Sequence, residues 1–89
     1  MKLLFIEWED SCQGRGWEPT ENFCHTRSMR CFSVGWKVAE SKDSITLAPH
    51  VSEKNHPTAF FQCCGVMTIP KRAIVRKTAI TSASDQVPE

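Results

Sequence analysis

Five cysteines and three histidines are the side chains of this 89-residue sequence that could most readily bind a metal or act as catalysts. Zinc takes four thiolate or imidazole ligands, usually supplied in close pairs such as C-x₂-C. No pair in this chain has that spacing; the cysteines are Cys12, Cys24, Cys31, Cys63 and Cys64. We therefore expect no metal, no cofactor and free thiols, some of them packed as small apolar groups. A structural zinc or a disulfide formed on oxidation are the alternatives.

A cysteine nucleophile activated by histidine is a second possibility. It would pair His50 or His56 with Cys63 or Cys64. Such a pair needs a third group to orient the base and an oxyanion hole to stabilise the intermediate. The sequence supplies neither near these residues, so we expect that the protein is not an enzyme.

Basic residues are concentrated near the end of the chain, although the formal net charge is only +1. Residues 69–81 carry four bases and no acid, whereas residues 1–22 carry five acids and two bases. A block of this kind favours an anion-facing surface, and the solvated side of a strand is the alternative. Lys71 and Arg72 follow Pro70 on a predicted turn, where their side chains can reach outward.

Other residues could complete a ligand site. Arg15 lies between two glycines in a turn that could hold an anion, although a purely structural turn is the alternative. Trp17 follows that turn and could stack on a base, with burial and exposure both open, whereas Trp36 is expected in the core. The predicted ligand-binding residues are Lys71, Arg72, Arg15, Trp17, Arg76 and His50.

These side chains would be positioned by a β-hairpin at residues 31–48. Phe32, Val34, Trp36 and Val38 occupy alternate positions, which predicts that they share the face of a strand that is turned toward the core. A polar break at residues 40–43 marks the turn, after which Ile45 and Leu47 resume the alternation.

The remaining chain predicts three further strands and no long helix. The predicted strands are Leu3 to Asp10, with Leu4, Ile6 and Trp8 on one face, Val66 to Ile69, and Ala73 to Ile80, with Arg76 in register with Ile74. A tight 3₁₀ turn at Pro70-Lys71-Arg72 joins the last two. Five short strands and no long helix predict an all-β fold, a small closed or half-closed barrel with long loops. Residues 1–81 form one predicted domain and residues 82–89 a polar tail.

The sequence predicts a location in the cytoplasm. It contains no run of about 18 apolar residues that could span a membrane. The short apolar run after Lys2 is followed at once by Glu7, Glu9 and Asp10, which an export signal would not tolerate.

The hairpin FSVGWKVAESKDSITLA and the closing segment MTIPKRAIVRKTAI together resemble the five-stranded barrels of the Src-homology-3 and Sm-like type. In those barrels a short 3₁₀ turn also joins the last two strands. The resemblance implies a fold, and it implies no single function, because many unrelated functions use this barrel.

The whole chain also resembles a group of small uncharacterised bacteriophage and prophage proteins. The shared motifs are WEDS, GW, SVGW and MTIPKRAI, which here are Trp8 to Ser11, Gly16-Trp17, Ser33 to Trp36 and Met67 to Ile74. This resemblance implies a phage accessory protein that works inside a bacterium by binding, for example to neutralise host defence.

Three functional hypotheses follow. The first is a homo-oligomeric binding module that modulates a host pathway, either by sequestering a nucleotide-type immune signal or by inhibiting a host protein. The second is a nucleic-acid-binding Sm-like barrel, which the near-neutral net charge disfavours. The third is a structural virion or assembly protein, for which the acidic beginning and the basic end of the chain would suit self-assembly.

Overall fold

The structure, a computed structural model, describes residues 1–11, 16–23, 27–53 and 61–81. The elements are β1 (Leu3–Asp10), a first 3₁₀ helix (Thr20–Phe23), β2 (Met29–Glu40), β3 (Ser44–Ala48), β4 (His50–Val51), β5 (Cys63–Cys64), β6 (Met67–Pro70), a second 3₁₀ helix (Lys71–Ala73) and β7 (Ile74–Ile80). The predicted all-β class is confirmed for these residues. No helix among them is long and apolar enough to cross a bilayer.

Five strands form one antiparallel sheet in the order β6-β3-β2-β1-β7, and β4 pairs with β5 in a separate two-stranded ribbon. β6 and β7 stand at opposite ends of this order, yet only the three residues of the second 3₁₀ helix connect them. The sheet must therefore curl until its two edges approach each other at that helix. Within the described ranges, no ladder joins β6 directly to β7.

The hydrophobic core fills the inside of the curled sheet. Its buried members are Leu4, Ile6, Ile45, Leu47 and Ile69, with Trp8 and Ile74 packed against them. The prediction that Leu4, Ile6 and Trp8 share one face of β1 is thus confirmed, and that face is turned toward the core. The Trp8 indole N–H donates to the Ser33 hydroxyl at 3.0 Å, which satisfies the polar edge of the ring.

The predicted inward face of β2 is wrong. The side chains of Phe32 and Val34 are 61% and 52% exposed, whereas the fully buried residue of this strand is Gly35. The curl brings β3 so close that a Cβ on Gly35 would lie 3.0 Å from the Leu47 Cβ and 3.1 Å from the Ala48 carbonyl oxygen. Only small residues fit on the inside here, so the large side chains of β2 point outward.

Two register shifts interrupt the sheet, and strict alternation could not predict them. One lies between Glu7 and Trp8 in the pairing of β1 with β7, so that Arg76 pairs with Glu7 while Ile74 pairs with Trp8. Because a bulge changes which side a residue faces, Ile74 joins the core and the prediction that it shares a face with Arg76 is wrong. The other shift lies between Lys37 and Ala39 of β2.

The ribbon of β4 and β5 is additional to the five strands predicted from the sequence. His50 pairs with Cys64 and Val51 pairs with Cys63. The polar tail predicted at residues 82–89 lies outside the described residues.

Candidate ligand-binding site

An open groove of about 550 Å³ lies where the β2–β3 turn meets the second 3₁₀ helix. Its lining residues are Lys42, Asp43, Ser44, Thr68, Pro70, Lys71 and Arg72. We call it the basic groove, because three of these residues are cationic and one is acidic.

The turn side of the basic groove is shaped by a serine. The Ser41 hydroxyl accepts hydrogen bonds from the backbone N–H groups of Asp43 and Ser44, at 3.2 and 3.1 Å. Serine side chains commonly bond to nearby backbone in this way and so fix the geometry of tight turns. The turn therefore holds Lys42 at its tip, where its side chain is exposed.

The helix side of the basic groove is tied to the turn. Pro70, with a φ of −62°, leads into the second 3₁₀ helix, and the Lys71 backbone N–H donates to the Asp43 carbonyl oxygen at 2.8 Å. Ser44 also pairs with Pro70 where β3 meets β6. This connection places the side chains of Lys71 and Arg72 beside the turn.

Glu40 neutralises one of the cations of the basic groove. Its carboxylate oxygens lie 2.8 Å from the Lys37 Nζ and 2.8 Å from the Lys71 Nζ. These two ammonium groups, Lys37 foremost, lower the pKa of Glu40 from 4.5 to about 2. Lys42 and Arg72 form no ion pair with any described residue. Among the described residues, the basic groove thus offers two cations without an ion-pair partner, a third cation that Glu40 already holds, and one lining carboxylate, that of Asp43.

Arg76 does not join this cluster. It donates to one oxygen of Glu7 at 3.1 Å, while Arg30 donates to the other oxygen. Glu7 is only 7% exposed, and hydrogen bonding from Arg76 is the main cause of its lowered pKa. Arg76 therefore contributes to a paired network on the other side of the sheet from the core.

Two more predicted site residues lie at or beyond the limits of what the structure describes. The Trp17 side chain is fully exposed, at 104%. It therefore has a free ring face but no place in the basic groove. Arg15 lies outside the described residues.

His50 lies in the β4–β5 ribbon, beside the exposed thiols of Cys63 and Cys64. These three residues are exposed and line a shallow groove of about 280 Å³. In the part of the chain that the structure covers, no side chain hydrogen-bonds to the His50 imidazole, and no cluster of three His, Cys, Asp or Glu residues could hold a metal ion. The ribbon pairs a histidine with a thiol but supplies no group to orient either.

A second groove, of about 690 Å³, lies near the start of β2 and is lined by Glu9, Arg27, Ser28, Met29 and Arg30. It is larger than the basic groove but presents less unpaired positive charge to an anionic ligand. Arg30 already binds Glu7 and Glu9, and the Glu9 carboxylate lines the same groove.

Sequence analysis did not identify Lys42, which lines the basic groove, or Glu40, which pairs with Lys71. Both residues belong to the polar break predicted at residues 40–43. The signal that could have found them is topological: if β3 pairs with the strand before the 3₁₀ helix, the turn before β3 lies beside that helix.

Comparison of the chain with known protein families, with curated proteins and with solved structures finds no match.

Proposed function

We propose that this protein is a non-enzymatic binding module that takes a phosphate-bearing ligand of nucleotide type in the basic groove. The observation that carries the proposal is the convergence of Lys42, Lys71 and Arg72 on one concave surface. Arginine and lysine bind phosphate oxygens by charge-assisted hydrogen bonds. A volume of about 550 Å³ falls within the range of small-molecule sites.

The distribution of charge supports a small anion over a long one. Lys42 and Arg72 form no ion pair with a described residue, but the Asp43 carboxylate lines the same groove and the cations Lys37 and Lys71 share Glu40. A single phosphate or diphosphate needs only two or three cations. A nucleic-acid strand needs a longer row of uncompensated cations along its backbone.

The finer description of the fold belongs to the same proposal. We take the curled sheet to be a five-stranded barrel of the Src-homology-3 or Sm-like type. Its strand order and the 3₁₀ connection between β6 and β7 support this. We further propose that the chain is a phage accessory protein that acts in the host cytoplasm by sequestering a nucleotide-type signal. The motifs that it shares with small phage and prophage proteins support the phage origin, and the basic groove supports the type of ligand.

The proposal is tested by titrating the full chain with ATP, pyrophosphate and adenosine in low salt, by calorimetry and by thermal shift. A bound ligand raises the melting temperature by mass action. We expect ATP and pyrophosphate to bind and adenosine to bind at least tenfold more weakly. The double variant Lys71→Ala/Arg72→Ala should lose this ligand-induced shift, and its melting temperature without ligand should fall by no more than the small contribution of the exposed Lys71–Glu40 ion pair.

Two further variants sharpen this test. Lys77→Ala removes an exposed base of β7 outside the groove, so it should change affinity less than twofold. Glu40→Gln releases Lys71 from its carboxylate partner and should tighten binding severalfold. If none of the phosphate probes binds even to Glu40→Gln, the proposal is wrong.

The same protein, titrated with oligo(dT), distinguishes the alternative of a nucleic-acid-binding barrel from the proposed function. Oligo(dT) binding with an affinity that falls steeply with salt would favour it. We expect oligo(dT) to bind more weakly than ATP at every salt concentration.

A further inference from the structure

Six apolar side chains lie together on the side of the sheet that faces away from the core. They are Leu3 and Phe5 of β1, Phe32, Val34 and Trp36 of β2, and Ile80 of β7. We call this surface the outer face. Leu3 stands opposite both Trp36 and Ile80, and Phe5 stands opposite Val34, so the six are neighbours on adjacent strands.

The outer face is apolar and open. Phe32 is 61% exposed, Val34 52% and Ile80 36%, while the other three are half-buried. The Phe5 and Phe32 rings stack with their centroids 6.1 Å apart and their planes at 26°, which gives the surface a fixed aromatic centre. In β2, the large apolar side chains are on this side, and the small residues Cys31, Ser33 and Gly35 are on the core side. An apolar surface of this kind in a soluble domain marks a place of contact.

A charged border lies at one end of the outer face, and it is internally balanced. It consists of Glu7, Glu9, Arg30 and Arg76, in which Arg30 binds both carboxylates and Arg76 binds Glu7. Two acids and two bases cancel, so this border attracts neither a strongly acidic nor a strongly basic partner. An identical copy, however, can approach it without net repulsion.

The shape and charge of the outer face exclude two kinds of occupant. A nucleic acid would require uncompensated cations, which this border lacks. A small molecule is usually held in a concave site, and the outer face is the flank of a sheet. The apolar flank of one sheet packs well on another, about 10 Å away.

We infer that the outer face packs against the outer face of a second copy of this chain, related by a two-fold axis. In such an isologous contact the same patch serves both partners. With the axis near Phe5 and Val34, apolar halves meet and the balanced borders project at opposite ends. The inference is independent of the ligand proposed for the basic groove.

The size of the outer face determines how tightly we expect two copies to bind each other. The Cα positions span about 10 Å across three strands and about 14 Å along β2. This area is smaller than the roughly 800 Å² that each partner of a stable complex buries, so it forms only the apolar centre of an interface. We therefore expect a reversible dimer with a dissociation constant in the micromolar range.

The last eight residues of the chain offer a poor alternative cover. The residues that follow Ile80 and Thr81, at positions 82–89, read SASDQVPE, with Val87 as the one large apolar residue. One valine cannot replace solvent over six apolar side chains on three strands.

Sedimentation velocity of the full chain over a wide concentration range tests the inference. We expect a monomer–dimer equilibrium. Phe32→Ser should raise the dissociation constant at least tenfold, and Val34→Lys, which places like charges across the two-fold axis, should do the same. Circular dichroism and melting of dilute protein show whether each variant still folds, and either folded variant decides the question.

Val75→Ser is the matched control, because Val75 is 49% exposed on β7 but has no pairing partner on β1. It should leave the equilibrium unchanged. A wild-type chain that stays monomeric at several hundred micromolar overturns the inference, as does a dimer that survives both outer-face variants. A dimer that forms only after removal of residues 82–89 would show that the tail covers the face, and would also overturn it.

Discussion

At the scale of single residues, Glu40 controls how much positive charge the basic groove presents. One carboxylate holds two ammonium groups, Lys37 and Lys71, each at 2.8 Å. Lys71 is therefore available to a ligand only when it exchanges Glu40 for another anion. Lys42 and Arg72 need no such exchange, so we expect them to make the first contact with a phosphate.

The pairing of Glu40 predicts a pH dependence of stability. The ordinary pKa of 4.5 applies in the unfolded chain, and the folded value is about 2. Because the folded pKa is the lower one, these ion pairs stabilise the fold above about pH 4.5 and lose their effect as the pH falls toward 2. The decrease in the urea midpoint from pH 6 to pH 3 should therefore be smaller in Glu40→Gln than in the wild type.

The pKa of Glu7 is lowered too, mainly by hydrogen bonding from Arg76, so the pairing of Glu7 also loses its stabilising effect as the pH falls below its ordinary pKa. Both chains keep Glu7, so its contribution cancels when the decrease in the urea midpoint is compared between the wild type and Glu40→Gln. Equal drops in the two chains would contradict the assigned role of Glu40.

Gly35 is the second residue with a specific mechanical role. An added methyl group would meet the Leu47 Cβ at 3.0 Å and backbone oxygen of Ala48 at 3.1 Å. Overpacking of this kind costs about 1–3 kcal/mol, so Gly35→Ala should lower the free energy of unfolding by that amount. Gly35→Val should cost more. Urea denaturation measures both variants. Free energies of unfolding within about 0.5 kcal/mol of the wild type would mean that β2 and β3 are not this close.

At the scale of elements, β2 carries small side chains on one face and large side chains on the other. The core side carries Cys31, Ser33 and Gly35, and the outer side carries Phe32, Val34 and Trp36. The hydrogen bond from Trp8 to Ser33 gives the small polar residue a partner inside the sheet. The inner surface of a curled sheet has less room than its outer surface, so the side chains follow the curvature.

This arrangement predicts a clear ranking of substitutions. Ile6 is fully buried, so Ile6→Ala should cost about 2–5 kcal/mol. Phe32→Ala loses mainly its stacking with Phe5 and should cost about 1 kcal/mol. Chemical denaturation of dilute protein measures both without the contribution of a dimer. The reverse ranking would show that β2 presents Phe32 to the core.

At the scale of the whole molecule, the curl of the sheet creates both candidate surfaces. It brings the β2–β3 turn and the second 3₁₀ helix together at the basic groove. It also leaves the outer face of β7, β1 and β2 without a covering layer in the described structure. A binding site on one side and an apolar contact face on another are what a small oligomeric binding protein requires.

The last eight residues should be dispensable for this architecture. Their composition is polar, and the strands end at Ile80. A chain that ends at Thr81 should melt within about 4 °C of the full chain, which corresponds to less than about 1 kcal/mol for a domain of this size. Scanning calorimetry of the two chains at one concentration measures the shift. A larger decrease would assign the tail a structural role.

The local pattern of the sequence was enough for the secondary structure of most elements. β1 begins and ends where predicted, and the turn between β2 and β3 and the 3₁₀ turn after Pro70 lie where their residue types indicate. These features depend on alternation, turn chemistry and the fixed φ of proline, all of which act within a few residues. The proximity of Lys71 and Arg72 at one turn was predicted for the same reason.

Only the tertiary structure decided which face of β2 is buried and which bases share a groove. Alternation identifies two faces but not the side on which the sheet closes, and the space beside Gly35 depends on β3, which follows later in the chain. The bulge opposite Glu7 and Trp8 likewise separates Arg76 from Ile74 through pairing with a distant strand. Long-range packing therefore overrode local pattern at the points where the sheet curves, and those points form the outer face and the basic groove.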